Sequence, residues 1–119
     1  MLKIKESALK LIFEGARRVF PLEFFAILYG KGIVEGIYIV RMEFDRNFVR
    51  FFTNSIPRGM DIIGTVHSHP VRTPPSREDL ETFSKFGGYH LIVYPPFSSI
   101  RDVEAFDSQG RKVGICVVK

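Results

Sequence analysis

The sequence predicts an α/β sandwich with a curved, mixed β-sheet. Three observations point to it: a 3.6-period apolar stripe at the head of the chain, a second in the middle, and a series of short apolar runs elsewhere. In the head, residues 7–19 carry Ala8, Leu9, Ile12, Phe13, Ala16 and Val19, with Phe20 after them, on one helical face. Pro21 stops that helix, because proline has no N–H to donate and its ring clashes with the preceding turn. The run at residues 24–29 reads as a strand that ends at Gly30, and further strands are expected over residues 33–42, 48–53, 62–69, 89–94, 103–106 and 113–118. A second helix is expected over residues 77–86, where Ser76 is a good N-cap and Leu80, Phe83 and Phe86 share a stripe. Asp107-Ser108-Gln109-Gly110 is a turn signal that joins the last two strands as a hairpin.

At 119 residues the chain is expected to be one domain, residues 1–119, with room for a core of its own but not for a second. Its hydrophobic fraction of 45%, with 12 phenylalanines, fits a compact globular protein. No stretch approaches the ~20 apolar residues of a membrane span. Lys3, Lys5, Glu6 and Lys10 interrupt any signal-peptide pattern, and the single cysteine, Cys116, has no internal disulfide partner, so a cytoplasmic protein is expected. Cys116 lies in the apolar run 113–118 and reads as a buried strand residue rather than a nucleophile. The net charge of +4 and pI near 9.4 admit a nucleic acid or an acidic protein surface as partner. The basic residues are scattered, however, without a Lys/Arg run or an aromatic–glycine signature, so no nucleic-acid partner is expected.

The most informative segment runs from His67 to Asp79. Asp61-Ile62-Ile63-Gly64-Thr65-Val66 reads as a buried strand, so His67 and His69 stand two apart at its end and share a face. Pro70 biases His69 toward extended backbone, and Pro74 and Pro75 stiffen the loop that leads to Ser76. Asp79 falls in the first turn of the helix, where its side chain can turn back toward the histidines. A His, His, Asp set leaves the fourth tetrahedral position of zinc open for water, the mark of a catalytic rather than a structural site. Each half has a plainer reading: strand histidines are often satisfied by hydrogen bonds, and Ser-x-x-Asp is an ordinary helix start resembling a capping box. Their conjunction in one strand–loop–helix favours the metal. Ser68 alternates away from the ligand face, and His90 has no ligand-spaced partner and reads as a packed strand histidine.

These residues resemble the JAMM (MPN+) zinc metalloproteases, which remove ubiquitin or ubiquitin-like modifiers, and the small stand-alone archaeal members most of all. The resemblance covers nearly the full chain: the leading helix, Pro21-Leu22-Glu23 running into a strand that ends at Gly30, Gly64-Thr65-Val66, His67-Ser68-His69-Pro70, Ser76 and Asp79. It implies a cytidine-deaminase-like sandwich, Zn2+ held by His67, His69 and Asp79, Glu23 as proton acceptor for the attacking water in a mostly apolar setting, and Ser76 as donor to the developing oxyanion. It also implies a substrate, an isopeptide or peptide bond after the Gly-Gly tail of a ubiquitin-like protein of the archaeal small-modifier or sulfur-carrier type, whose tail adds as a strand to a sheet edge beside the metal. One departure stands out: residues 70–75 make a loop of six where the family usually has seven. Two rivals stay open, a non-catalytic MPN scaffold and a zinc hydrolase acting on small peptide or amide conjugates. The sequence leaves the oligomeric state, a homodimer included, undecided.

Overall fold

A computed structural model describes residues 1–39 and 57–119. The strand expected over residues 48–53, and the end of that expected over 33–42, lie outside the described residues. The chain opens with β1 (Leu2–Lys5), which turns Leu2 and Ile4 inward, and passes directly into α1 (Glu6–Val19). Ala8, Leu9, Ile12, Phe13 and Ala16 form the buried stripe of α1, which ends where Pro21 requires. Val19 and Phe20 are exposed, so the stripe is narrower than the sequence implied, its last turn running past the edge of what it covers.

β2 (Phe25–Tyr29), β3 (Gly36–Ile39), β4 (Ile62–Ser68), β5 (Tyr89–Val93), β6 (Val103–Asp107) and β7 (Lys112–Val113) form a sheet in the order β3-β2-β4-β5-β6-β7. Among the described strands of this sheet only the β4–β5 pair is parallel, and the helix between them, α2 (Arg77–Phe86), supplies the crossover such a pair needs. The mixed sheet and the two helices are those the sequence predicts. Gly64 allows the parallel pair to close: a Cβ there would lie 1.4 Å from the Tyr89 carbonyl oxygen. Gly30 ends β2 with φ +151°, in the region glycine favours.

Strand alternation sorts the core into two layers. Phe24, Ala26, Leu28, Val66, Leu91, Val93 and Ala105 pack with the stripe of α1 on one face. On the other, Phe86 of α2 packs against Phe25 and Ile27, while Phe83 packs against Ile92, Tyr94 and Phe106. Each fully buried Val, Leu, Ile or Phe among them contributes about 1.5–3 kcal/mol. Leu80 is half-exposed, so α2 is held chiefly by Phe83 and Phe86. Among the described residues no helix is long and apolar enough to cross a membrane.

Two expectations are corrected. The leading helix is preceded by a strand, and the run at 113–118 is split: β7 closes the hairpin with β6, while β8 (Ile115–Val118) leaves the sheet to pair in parallel with β1, Leu2 opposite Ile115. Cys116 is therefore half-buried in a two-stranded sheet rather than enclosed in the main one. The hairpin turn itself forms as predicted, with the Asp107 carboxylate accepting from the N–H groups of Gln109 and Arg111.

His90 is fully buried on the α2 face, its ring stacked on Phe83 at 4.4 Å and its Nδ1 2.6 Å from Thr65 Oγ1. Burial is the main cause that pushes its pKa down from 6.5 to about 4. Since the unfolded chain binds this proton more readily, the contribution to stability is full above pH 6.5 and is lost as the pH falls toward 4. Acidification from about pH 7 to about pH 5 should cost on the order of 2 kcal/mol through His90 alone. Urea unfolding of wild type and His90→Leu at both pH values measures it; the variant should show a shallower acid loss, and parallel losses would contradict the account.

Candidate metal centre

β4 runs beneath α2 and delivers His67 at its end; the His69 N–H still bonds to the Val93 carbonyl at 3.0 Å, so the pairing with β5 continues through that residue. The pleat then places both rings on the α2 face, each residue 6% exposed. At the far end of the loop, Ser76 caps α2: its Oγ accepts from Asp79 N at 3.0 Å, and Ser76 N donates to Asp79 Oδ2 at 2.8 Å. This capping box turns the Asp79 carboxylate back over the start of the helix, where the histidines lie. The capping box of the plain reading is present, and it leaves Asp79 facing the histidines.

His67 Nε2 lies 3.1 Å from Asp79 Oδ1, His69 Nε2 lies 3.1 Å from Asp79 Oδ2, and the two Nε2 atoms are 3.1 Å apart. Ligand atoms around a tetrahedral zinc, with bonds of ~2.0–2.1 Å, stand about 3.3 Å apart, so two imidazoles and one carboxylate at these separations fit that ion. Burial opposes charge on Asp79, but hydrogen bonds from His67 and His69, with the charge on His67, outweigh it and hold the carboxyl well below the usual carboxylate range. The hydrogen bond to Asp79 raises His69 above its ordinary value, against burial, and the charges on Asp79 and Glu23 add to the rise. Phe25 stacks beside His67, with interplanar angle 10°, and Tyr94 meets His69 edge-on. The cluster is thus walled by rings on the side away from solvent.

Glu23 lies just before β2. Phe25 is opposite His67 in the antiparallel register of β2 and β4, so continuing that register puts Glu23 opposite His69 and on the same face. Two bonds extend the pairing in that direction: Ser68 N donates to Phe24 O at 2.9 Å and Phe24 N donates to Ser68 Oγ at 2.7 Å. Ser68, buried and facing away from the cluster, fixes the backbone beside Glu23. Glu23 is exposed and not in an apolar setting, because the chain leaves the sheet there and the neighbouring Phe24 and Phe25 turn into the two cores. β4 itself is paired on both sides, by β2 and β5.

The family model for prokaryotic homologs of the JAB domain matches residues 5–108. The chain belongs to that family. A JAB1/MPN domain protein from Archaeoglobus fulgidus is 33% identical to it, with a TM-score of 0.80 over 100% of this chain and 98% of that one. A structure described as JAMM, a metalloprotease-like zinc site in the proteasome and signalosome, is 32% identical, with a TM-score of 0.78 over 100% and 99%. A solution structure of a Desulfitobacterium hafniense protein shares the fold at 20% identity, with a TM-score of 0.73 over 100% and 94%. No curated protein matches the sequence.

In this JAB domain the six-residue loop has anchors that its sequence does not announce. Thr73 Oγ1 lies 2.9 Å from His69 Nδ1, and the Thr73 carbonyl accepts from Tyr94 Oη at 3.0 Å. The Arg72 guanidinium sits 4.5 Å from the Tyr94 ring centre and donates to the Arg101 carbonyl at 2.7 Å. Thr73 is four residues from His69 in an irregular segment, and such a contact leaves no periodic pattern to read. With Thr73 and Ser76 each held by its own partners, only Pro74 and Pro75 span the gap. One residue inserted after Thr73 should therefore leave zinc binding intact, whereas His69→Ala should lose most of it. Metal analysis of the purified proteins checks both; zinc lost from the insertion variant would make the short loop an obligatory part of the centre.

Proposed function

We propose that this JAB domain is a zinc-dependent isopeptidase or peptidase that cleaves after the Gly-Gly tail of a ubiquitin-like protein of the archaeal small-modifier or sulfur-carrier type. The observation that carries the reading is the convergence of His67 Nε2, His69 Nε2 and both Asp79 carboxylate oxygens in one cluster. The zinc site described for a relative of 32% identity supports it. His67, His69 and Asp79 would hold the ion, which when bound supplies Lewis-acid polarisation and brings the pKa of a water toward ~7.

The remaining work falls to the chain. Glu23 accepts a proton from the attacking water and returns it to the departing amine. Its exposure at the head of β2 leaves it open to substrate and solvent together. The Ser76 oxygen is engaged by Asp79 N, which leaves the hydroxyl proton to donate to a carbonyl oxygen as it gains charge. The exposed residues 70–74 follow directly on His69, and the substrate tail would approach the cluster past them. Two glycines suit that approach, since a tail without side chains brings its backbone close to the cluster.

The test is cleavage of a folded modifier fusion and of a short peptide, each with and without a zinc chelator. Chelator-sensitive cleavage of the fusion is expected. Cleavage of the peptide alone would indicate a small-conjugate hydrolase, and zinc binding without any turnover would indicate a scaffold. Glu23→Gln should keep zinc and fold yet lose nearly all turnover, because the amide cannot accept the proton. Ser76→Ala should lower the rate by about 10²- to 10³-fold, and unfolding should show a loss of roughly 1 kcal/mol for the missing cap. Wild-type turnover in Glu23→Gln would assign the proton transfer to another acid, with Glu78 and Glu81 the first to test.

A further inference from the structure

We propose that Thr73 is a positioning residue for the metal: its hydroxyl oxygen accepts a hydrogen bond from His69 Nδ1–H, which leaves Nε2, the nitrogen that faces His67 and Asp79, as the one that would bind a zinc ion. The inference rests on the zinc reading above and concerns which residues make His69 a ligand. A neutral imidazole carries one N–H and one lone pair, and only the unprotonated nitrogen binds a cation. His69 has both ring nitrogens committed: Nδ1 is 2.9 Å from Thr73 Oγ1, and Nε2 is 3.1 Å from both His67 Nε2 and Asp79 Oδ2. A hydroxyl accepts from Nδ1–H as readily as it donates, so the Thr73 contact suits the tautomer that coordination through Nε2 requires.

Thr73 can do this because the loop is clipped at that residue. Tyr94 is fully buried, and its hydroxyl donates to the Thr73 carbonyl at 3.0 Å. The Tyr94 ring also stands edge-on to His69 at 5.9 Å. One side chain thus orients the imidazole directly and, through Thr73, fixes the group that bonds its Nδ1. Arg72, its guanidinium over the Tyr94 ring and bonded to the Arg101 carbonyl, ties the same stretch to the 3-10 turn Ile100–Asp102. Thr73 is itself exposed, so replacing its hydroxyl by a methyl removes little packing.

The experiment measures zinc affinity of the apo proteins in competition with a chromogenic chelator, for wild type, Thr73→Val, Thr73→Ser and Tyr94→Phe. Thr73→Val should bind zinc about 10- to 100-fold more weakly, the usual effect of removing a ligand's hydrogen-bond partner. Thr73→Ser should restore wild-type affinity, and Tyr94→Phe should lose less than Thr73→Val. The imidazole nitrogen–proton correlation spectrum of zinc-loaded wild type, which does not depend on any variant folding, should show His69 protonated at Nδ1 and metal-bound at Nε2. Equal affinity in wild type and Thr73→Val, or coordination of His69 through Nδ1, would overturn the role of Thr73 while leaving the metal centre standing. Wild type that binds no zinc would overturn the metal centre and this inference with it.

Discussion

The carboxylate of Asp79 closes two structures at once. Its Oδ2 accepts from the Ser76 N–H and so completes the cap of α2, and the same group stands 3.1 Å from both histidine Nε2 atoms. The helix start and the histidine pair are thereby fixed relative to each other by one side chain. The first turn of a helix is also where unpaired N–H groups favour a negative charge, so the cap helps to keep Asp79 ionised despite its partial burial. A carboxylate held in this way presents both oxygens to the cluster with little freedom left to lose on binding an ion.

The sheet provides the complementary constraint. β4 is central, flanked by β2 and β5, and its pairing runs to its last residue, Ser68, on the β2 side and one residue further, through His69, on the β5 side. A one-residue slip of β4 would turn His67 and His69 toward the α1 face and Val66 toward the α2 face, so the register is tightly specified. The same register carries Glu23 to the ligand face, where it is exposed. The His, His, Asp cluster is held by the sheet and the helix cap, while Glu23, the acid to which the proposed chemistry gives the proton transfer, is exposed just before β2.

The loop between the two halves is short and tied at each end. Thr73 bonds His69 and Tyr94, while Ser76 belongs to the helix cap, so the prolines between them bridge two anchored points. Such anchoring accounts for how a loop one residue shorter than is usual for the resemblance still brings Asp79 back onto the histidines. The departure lies in the span and not in the supports.

Much of this was legible in the sequence because it depends on neighbours close in the chain. The helix at residues 77–86 begins where Ser76 announces it and ends at Phe86 before Gly87, and the alternation of His67 and His69 follows from the two-residue period of a strand. The apolar stripes of both helices, the hairpin turn at Asp107 and the His, His, Asp set are of the same kind. What the tertiary structure alone decided is long-range pairing. The four-residue β1 is too short to specify itself and exists through β8, which splits the run at residues 113–118 and leaves Cys116 half-buried. The exposure of Glu23, the enclosure of β4 on both sides and the hydrogen bond from the loop to His69 likewise depend on which segments meet across the sheet. Local propensity and periodicity fix the faces of an element, but no single segment of sequence encodes which partner will cover them.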